Sequence, residues 1–192
     1  MPLTLRPDSL TIDAVVAVAR SGETVKVSPA SIAAMKRSRA VVETALTDGL
    51  PHYGINTGFG SLSKQRIGQN DLAALQRNLV RSHAAGVGDP LPRDVVRATM
   101  LLLAASLARG LSGVRPVVCE TIVKMLNAGI TPVVPSMGSV GASGDLAPLA
   151  AIALVAIGEG EATVGHASRV MPGGAALRKA GIKPLTLSAK EG

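Results

Sequence analysis

The sequence predicts a mainly α fold with an irregular loop region and one small β-hairpin. Of its 192 residues, 47% are hydrophobic, which is enough for a substantial core. Residues 98–108 and 146–158 are apolar nearly all round, which predicts helices buried on every side within a large bundle or a subunit interface. Since the chain shows no internal repeat and no low-complexity linker, residues 1–192 are expected to form one domain.

Residues that favour helix starts and ends divide the chain. Ser, Thr and Asn side chains accept hydrogen bonds from first-turn amides, Pro suits the first helical position, and Gly suits the end. The predicted helices, in chain order, run from Thr11 to Ala19, from Ser28 to Gly49, from Asn70 to His83, from Pro92 to Gly110, from Val114 to Asn127, onward from Asp145, and from Ala175 to Ala180.

The remaining segments are irregular or extended. Residues 131–144 carry Pro and Gly, which suits a strained turn. Residues 162–164 and 169–171 are expected to pair as a small hairpin. Residues 190–192 look like the start of a further helix.

The most distinctive stretch is residues 138–149, GSVGASGDLAPL. In its centre, the amide nitrogen of Gly144 could attack the carbonyl of Ala142, because Gly offers no Cβ to block the approach. Loss of water from Ser143 would then leave a methylidene-imidazolone (MIO), an electrophile that no unmodified side chain provides. Asp145 would place a carboxylate beside the ring. An ordinary loop followed by a helix cap is the alternative interpretation.

Two further blocks accompany this signature. Residues 53–60, YGINTGFG, hold the chain's one Tyr and its one Phe in a Gly-rich loop, which favours a role at a site over core packing. A dinucleotide-binding fingerprint is rejected there, because Ser63 stands at the third glycine position. Residues 79–86, LVRSHAAG, place His83 at the end of a predicted helix, where a purely structural role is the alternative.

In this order, the three blocks resemble the MIO-dependent aromatic amino acid ammonia-lyases over essentially the whole chain, and the Ser82–His83 pair resembles their histidine branch. The resemblance implies the N-terminal portion of a larger helical-bundle enzyme that forms a homotetramer. It also implies histidine catabolism by non-oxidative elimination of ammonia from L-histidine, which gives urocanate.

The resemblance also assigns roles to residues. Ala142, Ser143 and Gly144 would form the MIO autocatalytically, so no external cofactor and no metal is expected. Tyr53 is the candidate catalytic base. Asp145 would support ring formation or cap the next helix. The expected substrate-binding residues are Ser82, His83 and Gly60.

Two alternatives remain open. A tyrosine or phenylalanine ammonia-lyase, or an aminomutase, would use the same electrophile. A catalytically incompetent fragment that acts only in folding or assembly would explain a short chain, and we expect this chain alone to be poorly active or inactive.

Composition argues against other classes of protein. The formal net charge of +7 suggests nucleic acid as a partner, but the basic residues are scattered and almost no aromatic side chain is present to stack on bases. Cys119 is the single cysteine, so neither an internal disulfide nor a zinc cluster is expected. The apolar stretches are shorter than the roughly 20 residues that span a bilayer, and no signal peptide is recognisable. A cytoplasmic protein without nucleic-acid or membrane partners is expected.

Overall fold

The computed structural model describes residues 2–7, 10–138, 146–166 and 169–192, apart from the side chains of Leu62, Gln69 and Asn70. It confirms a mainly α fold. The helices are α1 (Ile12–Arg20), α2 (Pro29–Thr47), α3 (Gln69–His83), α4 (Arg93–Ala108), α5 (Pro116–Asn127), α6 (Leu146–Ala156) and α7 (Gly173–Lys179), with a 3-10 turn at Gly60–Leu62. The strands are β1 (Leu3–Leu5), β2 (Val25–Val27), β3 (Val87–Pro90), β4 (Ile130–Pro132), β5 (Pro135–Met137), β6 (Glu161–Val164) and β7 (Met171–Pro172).

The first two helices begin where the sequence predicts. The hydroxyl of Thr11 accepts a hydrogen bond from the amide of Ala14 at 3.2 Å, and that of Ser28 accepts one from the amide of Ser31 at 3.1 Å. Pro29 occupies the first position of α2, where its missing N–H removes no intrahelical bond. Local side-chain chemistry is therefore sufficient to set both starts.

Three other predicted starts are wrong, among them that of α7, which begins at Gly173 and not at Ala175. Asn70 lies inside α3, because the amide of Asp71 already bonds to the carbonyl of Gly68 at 3.0 Å and Gly68 is the cap. The predicted start of α5 at Val114 is two residues early, since Gly113 has a φ of +76° and Pro116 is the first helical residue. For α3 and α5, the backbone conformation just before the helix decided where the helix starts.

The strands form three small sheets. The predicted hairpin is confirmed as β6 against β7, with Ala162 opposite Met171. The sequence did not predict β4, which pairs antiparallel with β6, nor the parallel pair β1–β2. Strands β3 and β5 pair antiparallel, so part of the segment predicted to be irregular is extended. Strands of two to four residues are too short to show a period of two in the sequence.

The core is centred on α4, which packs against α1 and α5. Arg97 crosses this core and is almost fully buried. Its guanidinium donates to the carbonyls of Val18 and Ala19 at 2.8 and 3.2 Å and to that of Leu126 at 3.0 Å, so it joins the C-terminal ends of α1 and α5. Burial lowers its pKa, and the charge of Arg93 adds to the effect. The partial negative charge of the helix ends offsets the cost of burying the cation.

Leu102 on α4 is 53% exposed, so the described elements of this chain leave part of that helix uncovered, and its burial within a larger bundle or a subunit interface stays a prediction. One expectation about helix extent is not met. Residues 190–192 do not begin a helix: a turn occupies positions 189 and 190, and Lys190 has a φ of +67°. Among the described residues, no helix combines the length and the apolar character that a membrane crossing requires.

Candidate active site

A cavity of about 570 Å³ lies between α3, α4, α5 and α6. Two of the predicted site residues, Tyr53 and His83, line it, and Lys190 and Glu191 come from the C-terminal segment. The rest of the lining is mainly apolar and includes Phe59, Leu79, Leu103, Leu107, Val118, Ile122, Leu146, Leu149, Ala153 and Leu187. Apolar walls with a few polar groups are typical of a site for a small molecule.

Tyr53 stands at the edge of this cavity with its side chain 65% exposed. Its ring meets that of Phe59 edge to face, with the centroids 5.9 Å apart and the planes at 74°. Such a geometry is favoured between aromatic rings. The two aromatic residues of the chain thus form one pair, and both line the cavity.

Asn56 holds the loop that carries Tyr53, and the sequence analysis did not identify it. Its side chain is buried; Nδ2 donates to the carbonyl of Leu50 at 2.8 Å, and Oδ1 accepts from the amide of His52 at 2.7 Å. Asn side chains often bond to nearby backbone in turns, which is the signal that could have found it.

His52 belongs to the same anchoring rather than to the cavity. Its Nε2 lies 2.7 Å from Oδ2 of Asp48, at the end of α2. The amide of Leu50 and then the hydrogen bond to His52 lower the pKa of Asp48. The carboxylate therefore stays ionised and ties the start of the Tyr53 loop to α2.

His83 is the last residue of α3, and its ring has a defined orientation. Nδ1 lies 2.8 Å from the carbonyl of Leu79; because a carbonyl can only accept, Nδ1 carries the hydrogen. Ser82 also bonds to that carbonyl at 2.8 Å, and its Oγ lies 3.2 Å from Nδ1. Ser82 thus supports the ring and does not line the cavity. Nε2 has no protein partner within the described part of the chain, so it is available to a ligand.

Gly60 also lies away from the lining of the cavity. It opens the 3-10 turn with a φ of +57°, a conformation that favours glycine. Its contribution in the structure is to the path of the Tyr53 loop, and its role in binding substrate stays a prediction.

The signature residues Ala142, Ser143, Gly144 and Asp145 lie outside the described residues. The residues on either side of them are described and lie close together. A Cβ on Gly138 would be 2.8 Å from the Cβ of Ala147 and 3.2 Å from the Cα of Gly86, the last residue of the His83 block. Leu146, the first residue after the signature tetrapeptide, lines the cavity.

Strands β3 and β5 explain this proximity. Val87, four residues after His83, pairs with Met137, which directly precedes Gly138. The pairing of β3 with β5 therefore brings the segment after His83 beside the start of the signature. Sequence order alone separates these two blocks by more than fifty residues.

The C-terminal segment reaches the cavity through buried polar contacts that the sequence analysis missed. Oε2 of Glu191 lies 2.6 Å from Nη2 of Arg115, and Oε1 lies 3.8 Å from Nη1 of Arg39. Oε1 of Gln76 accepts the amides of Glu191 and Gly192 at 3.0 and 2.7 Å. The hydrogen bond to Glu191 raises the pKa of Arg115, which stays charged. These contacts place Lys190 at the cavity wall.

The arrangement suits chemistry on a small molecule with apolar and polar parts. It offers a phenol, an imidazole nitrogen without a protein partner and an ammonium group around apolar walls. Within residues that the structure describes, no group of three or more His, Cys, Asp or Glu side chains could hold a metal ion. The phenol, the imidazole and the ammonium group can supply proton transfer and hydrogen bonding.

Known proteins resemble this chain both in sequence and in structure. The chain is 55% identical to a histidine ammonia-lyase of Gloeobacter violaceus over 190 residues, which is 99% of this chain and 37% of that protein. Two solved structures are also similar: an ergothionase of Treponema denticola (TM-score 0.94, 32% identity) and a tyrosine aminomutase of Streptomyces globisporus (TM-score 0.89, 39% identity). Each alignment covers the whole chain but only 38% and 35% of the respective structure.

The family model for the aromatic amino acid lyases matches residues 10–192, nearly the full sequence. The match includes the Tyr53 loop, the end of α3 and the signature. The chain belongs to the aromatic amino acid lyase family.

Proposed function

We propose that this protein acts as a histidine ammonia-lyase, which converts L-histidine to urocanate and ammonia. The observation that carries the proposal is the placing of Tyr53 and His83 on one apolar cavity, whose wall continues to Leu146 within the signature. The 55% identity to a histidine ammonia-lyase favours histidine as the substrate. Since the chain spans 37% of that relative, further groups of the relative lie outside the aligned part.

The MIO is part of the same proposal. The close approach of Gly138 to Ala147 supports it, because a side chain on Gly138 would force apart the two residues that flank the ring-forming segment. The MIO made from Ala142, Ser143 and Gly144 would supply the electrophile for the amino group of the substrate. Asp145, the next residue, would support formation of the ring.

The described side chains would bind and deprotonate the substrate. Nε2 of His83 would hydrogen-bond the substrate imidazole, while the Nδ1 bond to Leu79 keeps the ring in place. Tyr53 would act as the base that takes a proton from the substrate β-carbon. Apolar walls would exclude water and strengthen both interactions. Ser82 and Gly60 would act by supporting His83 and the Tyr53 loop.

The assembly and compartment that we propose follow from the family resemblance: a homotetramer in the cytoplasm. Leu102, which is 53% exposed in the apolar second half of α4, supports burial against another subunit or segment.

The first test is the intact mass of the purified protein. Ring closure and dehydration of Ser143 each release one water, so the mass should be about 36 Da below that calculated from the sequence. The deficit should map to the peptide with residues 142–144 and should be absent in Ser143→Ala. An unmodified mass in the protein as its gene encodes it would contradict the proposal.

The second test identifies the reaction. The protein as its gene encodes it should convert L-histidine to urocanate and ammonia. The 192-residue chain, expressed alone, should form little or no urocanate. The similarity to a tyrosine aminomutase makes aminomutase activity the specific alternative. Release of a β-amino acid from L-tyrosine, with no urocanate from L-histidine, would favour that alternative.

A further inference from the structure

An ion pair outside the cavity joins the end of α3 to the turn after α6. Nε of Arg81 lies 2.8 Å from Oε2 of Glu159, and Nη2 lies 2.7 Å from Oε1. Two parallel bonds fix the relative orientation of the two groups as well as their distance. The hydrogen bond to Arg81 lowers the pKa of Glu159, so the pair stays charged.

The turn that holds Glu159 is itself fixed. The amide of Glu159 bonds to the carbonyl of Leu154 at the end of α6, at 2.8 Å. At the start of α7, the amide of Gly173 bonds to the carbonyl of Gly160 at 2.8 Å. A Cβ on Gly173 would come within 2.1 Å of the carbonyl oxygen of Glu159, so α7 packs directly on this turn. Arg81 is thus bound to a rigid point.

His83 lies two residues beyond Arg81, in the last turn of α3. Two residues correspond to about 200° around a helix, so the two side chains leave on opposite sides. His83 lines the cavity and Arg81 does not. The ring of His83 bonds to the carbonyl of Leu79 in the same turn of α3. If that turn moves relative to α6, the ring therefore moves with it.

We propose that Arg81 and Glu159 are positioning residues for the lyase site: their pair holds the last turn of α3 against α6, and so sets where His83 meets the substrate imidazole. The inference rests on the proposed function. Neither residue lines the cavity, so neither would touch the substrate.

If the pair only stabilised the fold, its loss would lower the melting temperature and leave substrate binding unchanged. The two side chains are 47% and 33% exposed, and ion pairs at such positions contribute little to the free energy of unfolding. Loss of the pair should therefore change substrate binding while the melting temperature stays near that of the parent.

The test compares Arg81→Gln and Glu159→Gln with the parent, in the protein as its gene encodes it. We expect KM for L-histidine to rise about threefold in both, with kcat close to the parent value, because a contact that is weakened equally for substrate and transition state raises KM alone. The exchanged pair Arg81→Glu with Glu159→Arg should recover most of the loss. The matched control is Arg20→Gln, which breaks the exposed pair with Asp94 between α1 and α4, 3.1 Å long.

A second measurement does not depend on turnover. In protein labelled at histidine, the imidazole signals of His83, assigned by their loss in His83→Asn, should shift in both Gln variants and stay unchanged in Arg20→Gln. Unchanged His83 signals, or a parental KM in the variants of an active parent, would overturn the inference. An inactive parent with shifted signals would contradict the proposed function and leave the positioning role supported.

Discussion

At the scale of single residues, His83 shows how a helix end prepares a side chain for binding. The Nδ1 hydrogen is donated to the carbonyl of Leu79, which leaves Nε2 as the acceptor of a ring that lines the cavity. The sequence singled out this residue from its neighbours, and its role in binding stays a prediction. The tautomer, however, depends on a hydrogen bond that only the folded helix provides.

Cys119 is the opposite case, a reactive residue type made inert by its surroundings. Its side chain is fully buried, its thiol donates to the carbonyl of Ala104 at 3.3 Å, and burial raises its pKa from 9.0 to about 12. We expect the native protein to leave this thiol unreacted with a thiol reagent near neutral pH, and the urea-unfolded chain to react fully. Rapid native reaction would contradict the assigned burial.

The same shift gives a pH dependence. The unfolded thiol loses its proton above pH 9.0, whereas the folded one keeps it up to about pH 12. The contribution to stability is therefore complete below pH 9.0 and is lost as the pH rises through that window. Urea unfolding of Cys119→Val against the parent should show a smaller alkaline loss in the variant.

At the scale of elements, the Tyr53 loop is held by one buried side chain, the amide group of Asn56. Asn56 bonds both to the carbonyl of Leu50 and to the amide of His52, so the loop closes around it. The sequence located this loop correctly from its two aromatic residues. It did not identify the anchor, because an Asn between Gly residues is common in any turn.

Asn56→Ala should lower the free energy of unfolding by about 2 kcal/mol, since both backbone groups lose a buried partner. It should also change the native fluorescence of Tyr53, the one tyrosine of the chain, as its contact with Phe59 loosens. Asn127→Ala is the matched control: Asn127 makes the same two bonds to Val25, both 2.8 Å long, away from the loop. A fluorescence change of equal size in both variants would contradict the anchoring role.

The elements also show where local signals fail. Caps at Thr11 and Ser28 set helix starts as predicted, because they act within one turn. Asn70 failed as a cap, because the backbone at Gly68 had already begun the helix. Strands β1 and β2 could not be predicted, since their pairing joins residues more than twenty positions apart.

At the scale of the whole molecule, Glu191 connects several elements. Its side chain is fully buried; Arg115 at the start of α5 and Arg39 on α2 flank it. Arg39 also donates to the carbonyl of Ala189 at 2.8 Å. The C-terminal segment is thereby held against two helices beside the cavity.

Glu191→Ala should lower the free energy of unfolding by about 2 kcal/mol, because the amides of Arg115 and Ser188 lose the buried carboxylate that accepts their hydrogen bonds. Urea unfolding measures this loss, and Glu161→Ala, at an exposed position on β6, is the control with little expected change. Equal losses of stability in the two variants would show that the buried contacts of Glu191 do not stabilise the C-terminal segment.

The sequence by itself determined the helical class, the caps of α1 and α2, and the hairpin. It also singled out Tyr53 and His83, which both line the cavity and whose roles there stay predictions. These follow from signals within one turn or from short motifs. Only the tertiary structure decided the contact between Gly138 and Gly86, the pairing of Arg81 with Glu159, and the burial of Glu191 between two arginines. Each joins distant positions whose residue types are ordinary on their own, and their meaning comes from burial and distance, which exist only once the chain has packed.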